Sequence, residues 1–131
     1  MPTNECKPFF KPGQDITGIL EADLGGKRFV APVSVEGARG GQPHINYPTA
    51  GGPACGVLGH DGVDGQPVHF NVGGTVPVVA GADITAGTRV QSDAQGRAVP
   101  FDPATPTNVP LGLATTNAAS GGSVAVQLNL G

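Results

Sequence analysis

The chain has no tryptophan, a single tyrosine (Tyr47), two cysteines and few charges, and each shortage excludes something. Carbohydrate-binding modules usually read sugars with exposed aromatic platforms, which this composition barely supplies. Cys6 and Cys55 stand 49 positions apart with no Cys-x-x-Cys spacing, so neither a disulfide scaffold nor a thiolate metal site is indicated; free thiols are expected. Charged residues make up 13%, about half the ~25% of ordinary globular domains. Such a surface either draws its polarity from Thr, Asn, Gln and Gly, or is covered by partner chains. Five of the seven basic residues (Lys7, Lys11, Lys27, Arg28, Arg39) lie in the first 40, yet they form no cluster able to track phosphates, so nucleic acid is not an expected partner. No apolar run approaches the ~20 residues of a membrane span, and MPTNECKPFF holds no apolar run of signal-peptide length, so no membrane partner is expected either. No stretch free of Gly and Pro exceeds eight residues, which all but excludes helices.

What is present points to short strands joined by turns. The 22 Gly and 13 Pro bring disorder into consideration, but Leu, Ile, Val and Phe make up 24% and the net charge is only −3, so a folded, loop-rich domain is expected. Its 131 residues suffice for one core but not two. In the last segment Val124, Val126, Leu128 and Leu130 alternate with Ser123, Ala125, Gln127 and Asn129, the period of a sheet with one buried face. Val68, Phe70 and Val72 alternate with His69 and Asn71 in the same way. Further strands are predicted over 27–35, 54–58, 75–79, 88–92, 97–101 and 110–114, with Pro32 and Pro77 at edges or bulges. Asp-Gly and Ser-Gly-Gly steps mark the turns.

Residues 55–72 and 111–128 carry one pattern at a constant offset of 56, pairing Gly56 with Gly112, Val57 with Leu113, Gly65 with Gly121 and Val68 with Val124. Upstream, Ala22-Asp23-Leu24 with Arg28 and Val30 echoes Ala82-Asp83-Ile84 with Arg89 and Val90, at a drifting offset. The expected fold is therefore all-β: a compact barrel-like or β-clip-like domain over 21–131, built from two similar halves at about 22–75 and 76–130. Its core should hold Val57, Val68, Phe70, Val72, Val90, Leu113, Val124, Val126 and Leu128. Residues 1–20 read as an extended N-terminal arm. Phe9 and Phe10, between Pro8 and Pro12, cannot be buried by local structure. They either pack back on the chain's own core or, with Lys7 and Lys11, reach a neighbouring subunit or partner.

No residue pattern specifies catalysis, and no enzyme activity, cofactor or metal is expected. None of Ser34, Ser92, Ser120 and Ser123 sits in a Gly-x-Ser-x-Gly elbow. His60 falls in a Gly-flanked turn opposite Thr116 in the repeat, and His69 falls opposite Ala125. His44, His60, His69 and Cys55 lack metal-ligand spacing. Asp61, Asp64 and Asp83 fit turns in which the carboxylate bonds its own backbone. Asp61-Gly-Val-Asp64-Gly lacks the remaining ligands of a calcium loop.

The run Val79-Ala80-Gly81-Ala82-Asp83-Ile84-Thr85-Ala86-Gly87-Thr88-Arg89-Val90 has a recognisable cadence. It continues in Asp93-Ala94-Gln95-Gly96-Arg97-Ala98, Leu111-Gly112-Leu113-Ala114 and Val124-Ala125-Val126-Gln127-Leu128. This cadence resembles that of small bacteriophage head decoration, or cement, proteins over about 76–130. The Asp-Ile-x-Ala-Gly-x-x-Val piece also looks like the β-clip core of SAF-type domains. The first resemblance implies a virion protein, made in the bacterial host cytoplasm, that binds the major capsid protein on the outside of the head and stabilises the shell. Self-association as a homotrimer at local three-fold positions is the expected arrangement, with monomers or dimers on seams as alternatives. The other readings are an SAF-like accessory or carbohydrate-binding module, and a minor tail or fibre subunit.

Overall fold

A computed structural model describes residues 15–33 and 43–130. Ten strands follow in order: β1 (Asp15–Leu20), β2 (Phe29–Pro32), β3 (His44–Asn46), β4 (Gly56–Leu58), β5 (Pro67–Asn71), β6 (Thr75–Val79), β7 (Arg89–Ser92), β8 (Ala98–Pro100), β9 (Gly112–Ala114) and β10 (Ser123–Leu128). The all-β expectation is met, and there is no helix among the described residues. The arm expected over 1–20 needs correction at its end. Residues 15–20 form β1, antiparallel to β5 and parallel to β3. Residues 1–14, including Lys7, Phe9, Phe10 and Lys11, lie outside the described residues.

The first five strands close into a barrel, β1-β3-β2-β4-β5 and back to β1. The second five make a sheet ordered β6-β10-β9-β7-β8, whose ends meet through one parallel bridge, Ala80 to Ala98. Each half thus repeats one pairing plan. Local hydrogen bonds repeat with it. Gly65 N donates to Leu20 O (2.7 Å) and Gly121 N to Ala80 O (2.8 Å); Leu58 N donates to Arg28 O and Ala114 N to Thr88 O, each at 2.9 Å. Asp23 Oδ1 accepts from Asp64 N and Asp83 Oδ1 from Ser120 N, both at 3.0 Å. Asp23 and Asp83 therefore tie one turn to another, and Asp61 accepts from Gly26 N; the carboxylates bridge loops instead of bonding locally.

The ladders also correct the upstream alignment. Ile16 faces Phe70 and Val76 faces Val126, so the offset there is 60. Arg28 then matches Thr88, and Arg89 matches Phe29. The drift arises in the connection between the strands, where insertion is tolerated.

Two core clusters form where one was expected. Leu20, Leu24, Val30, Ile45, Leu58, Val68 and Phe70 fill the first barrel. Phe29 and Val57 join Val76, Val78, Ile84, Val90, Leu111, Val124 and Val126 in the second cluster. The reason is a shared wall. On β2 and β4, Phe29 and Val57 point one way and Val30 and Leu58 the other, and all four are buried. A strand buried on both faces reads as a continuous apolar run, so alternation gives no sign of it. The second sheet makes room by using smaller side chains. Leu20, Ile45, Leu58 and Phe70 of the first barrel correspond to Ala80, Ala98, Ala114 and Val126.

Backbone bonds fasten the wall: Val79 N to Lys27 O at 2.8 Å, Phe29 N to Gly96 O at 2.7 Å, and Gly51 N to Ser92 O at 2.7 Å. The Pro-rich connections also meet, through Val109 N donating to Gly51 O at 2.9 Å. Of the expected core, Val57, Val68, Phe70, Val90, Val124 and Val126 are buried, and Val72 and Leu128 are half-buried against it. Leu113 is not in the core; it is 38% exposed, on the outward side of β9 between buried Gly112 and Ala114.

Pro77 lies on β6, at the edge of the second sheet, as predicted. Its partner across the ladder, Ala125, spends its own N–H and C=O on Thr116 Oγ1 and Thr115 N, so the N–H that Pro77 lacks would have faced outward.

Candidate functional site

Two of the three histidines have polar partners. His60 lies exposed in its turn, with Nδ1 2.7 Å from Asp61 O. His69 lies on the outer face of β5 above Gly59, and the two imidazoles stack edge to face at 5.7 Å and 64°. The sequence did not bring these two together; the β4–β5 turn does. His44 is elsewhere, its Nδ1 against the Glu21 carboxylate across the β1–β3 seam. Among the described residues, no group of three or more His, Cys, Asp or Glu is placed to hold a metal ion.

Cys55 is a free, half-buried thiol beside the first core. Burial pushes its pKa from an ordinary 9.0 up to about 11, only partly offset by a backbone hydrogen bond. The thiolate is the reactive species, so alkylation at pH 8 in a Cys6→Ser background should run roughly 100-fold slower than for an unfolded control. Normal alkylation speed would show that the thiol is open to water. Because the folded state keeps this proton longer than the unfolded state, the group's contribution to stability is intact below about pH 9. It is lost as the pH climbs toward 11.

Arg28 and Tyr47 mark the junction of the two barrels. The guanidinium carbon lies 5.7 Å from the ring centroid, and the Tyr47 hydroxyl accepts from Gly25 N at 2.8 Å. Arg28 also reaches Gln95 O at 3.3 Å. This lone tyrosine lies against Gly96 of the second half, where a Cβ would sit 2.9 Å from Tyr47 Cδ1.

An open surface lies on the second sheet. Arg89 of β7 faces Leu113 of β9, which faces Gln127 of β10. These residues, with Pro110, Leu128 and Asn129, line an open hollow of about 420 Å³. In the first half the corresponding row is Phe29, Val57 and Asn71, which is buried under the second barrel. Sequence reasoning placed Leu113 in the core because the repeat pairs it with Val57 as a shared apolar position; only the partition of the halves shows which copy of the row is covered.

A closed barrel and a second five-stranded sheet thus share a common wall, with Asp23, Asp61 and Asp83 tying loop to loop, in an all-β protein. A family model described as phage cement protein matches residues 29–130, reaching from the wall strand β2 to the end of the second barrel, and the chain belongs to that family. Its role is that of a capsid cement, decorating and stabilising a phage head. Among solved structures, the head fibre gp8.5 N base of bacteriophage phi29 shares the fold. Its TM-score is 0.72 at 21% identity, over 88% of this chain and 92% of that one. No curated protein matches the chain.

Proposed function

We propose that this protein binds the outer surface of a phage head as a homotrimer and bridges neighbouring copies of the major capsid protein, without catalytic activity. The family match, which runs from β2 to the end of β10, carries this reading. The internal correspondence supports a further step: each half is a copy of one ancestral barrel, and fusion of the two through the β2–β4 wall makes a rigid block from short, Gly-rich strands. A rigid block suits the task, because a cement strengthens a shell only if it does not deform when the shell strains. Repetition over the shell multiplies each modest contact, so avidity replaces a single strong interface. Lys7, Phe9, Phe10 and Lys11 are proposed as the contact to the capsid or to a sister subunit, the cations meeting acidic groups and the aromatics filling an apolar pocket.

The test is to add purified protein to expanded heads that lack it. Binding should saturate at a fixed ratio to the major capsid protein, and because only the assembled shell is bound, the temperature at which the shell breaks should rise. Failure to bind, with absence from purified virions, would sink the reading. The likeness to a head fibre base favours one second reading, a fibre-anchoring subunit. Copy number separates them: hundreds per particle for a cement, far fewer for a fibre base.

A further inference from the structure

The hollow on β7, β9 and β10 has a covered counterpart, since the same row of the first half lies under the second sheet. What the rest of the chain offers to cover it is limited. Outside the described residues the sequence holds two aromatics, Phe9 and Phe10, both in the segment that runs into β1. The ladders locate the point from which that segment starts. Asp15 pairs with Asn71, and Gly74, close after Asn71 in the chain, accepts from Leu128 N at 2.9 Å. Leu128 lines the hollow, so the near rim is at most ~22 Å from Asp15, taking ~5 Å between paired residues and ~3.5 Å per residue of chain. Phe10 and Phe9 stand five and six residues before Asp15 and reach ~17–21 Å when extended. The row also has a direction. Gln127 and Leu128 on β10 come first, Leu113 on β9 follows, and Arg89 on β7 lies two strands from the start, about 10 Å away. Read back from β1, the segment has the same order: the Phe9–Phe10 pair, then Glu5 four residues further on. Arg89 is exposed, and no carboxylate among the described residues pairs with it.

We propose that in the free subunit residues 5–10 lie in the hollow of their own chain, with Phe9 and Phe10 against Leu113 and Leu128 and the Glu5 carboxylate at the Arg89 guanidinium. Attachment favours this occupant. A segment tethered within reach meets the hollow at a ~mM effective concentration, so even a modest contact is held. Docking takes out of water two rings that local structure cannot bury, and it covers Leu113, which is 38% exposed. Lys7 and Lys11 keep their charged ends at the surface, where acidic groups of a partner can meet them. The proposal rests on the contact residues named in the reading above and places them before a head is met. It is tested without heads, so its failure leaves the cement reading standing.

Two measurements on the full-length protein test it. Chymotrypsin reaches Phe9 and Phe10 only when the segment leaves the hollow. Limited digestion there should therefore run roughly 10-fold slower in the wild type than in Leu113→Asp, a surface change that leaves both cores intact. Arg89→Glu should also lose protection, and Arg89→Glu combined with Glu5→Arg should regain it, which a merely weakened fold would not do. Equal cleavage of the wild type and Leu113→Asp would overturn the placement, and a missing rescue would overturn the Glu5–Arg89 pairing. The second measurement is oxidation in a Cys6→Ser background carrying Phe9→Cys together with Leu113→Cys. A disulfide within one chain is expected, seen as a faster-migrating monomer on a non-reducing gel, and neither single variant should give it. Covalent dimers in its place would mean that the segment crosses to another copy, and no disulfide at all would mean that it does not reach the hollow. Either result overturns the assignment.

Discussion

Replacing Phe29 with Ala is expected to cost about 3–5 kcal/mol of stability, a large share of the ~5–15 kcal/mol of a typical domain. Phe29 is fully buried, yet it does not belong to the barrel that its strand helps to build. Its side chain fills space that the second barrel leaves by carrying Ala80, Ala98 and Ala114, and alanine at 29 would leave a hole with no neighbour large enough to close it. The backbone bonds at the wall survive the substitution, so the loss isolates packing from hydrogen bonding. In urea, the midpoint should fall. If the wall is also what makes the two barrels unfold together, the transition should broaden or split, which appears as a lower apparent m. Arg89→Ala, at the exposed counterpart position, should move stability by no more than ~0.5 kcal/mol. A Phe29→Ala loss below about 1 kcal/mol would mean the halves do not share a core.

That asymmetry has a bearing on function. The two halves follow one hydrogen-bonding plan, but the row that is covered in the first half (Phe29, Val57 and Asn71) is bare in the second, where Arg89 stands in place of Phe29. A protein whose work is to lie against other chains needs a surface that is soluble when free and still able to pack. Low total charge with a few long polar side chains around an apolar centre meets both needs.

How far the residues alone reveal this depends on the strand. β10 and β5 were legible because each has one wet face, so Ser123 and Gln127 stand out against Val124 and Val126. β1 was not, because its inward positions are Ile16, Gly18 and Leu20; Gly18 gives its volume to Ile45 and Phe70, and DITGIL then shows no alternation. β3 is three residues long, and its His44 and Asn46 look like loop residues until β1 and β2 flank them. The repeat was legible from glycines, because turn geometry and close approach tolerate no other residue. The shared wall was not, because burial of Phe29 and Val57 is decided by a surface that begins only at Val76 in the sequence. The candidate contact face was legible only as a pair of matching positions, Val57 and Leu113. Which of the two is free is a property of the three-dimensional arrangement.

The matched glycines of β4 and β9 give the other large expected effect. A Cβ at Gly56 would lie 2.5 Å from Phe70 Cδ2 and 2.6 Å from Asn71 O; one at Gly112 would lie 2.6 Å from Val126 Cγ1 and 2.5 Å from Gln127 O. The same two neighbours, a facing core side chain and the next carbonyl, block both positions. A side chain can rotate away, but the carbonyl belongs to the adjacent strand, so alanine must push β4 off β5, or β9 off β10. Overpacking of this kind costs about 1–3 kcal/mol and more where backbone must shift, so Gly56→Ala and Gly112→Ala should each lose at least ~2 kcal/mol. Gly65 and Gly121 are the control. Their φ values are 84° and 88°, and nothing lies within 4 Å of a Cβ built there, so alanine pays only for the left-handed backbone, about 1 kcal/mol. Four single variants, measured by chemical denaturation, should therefore fall into two pairs set by structural role and not by which half they occupy. If Gly112→Ala were tolerated while Gly56→Ala was not, the second sheet would have to be loose enough to let β9 and β10 separate, and the two barrels would not be mechanically equivalent.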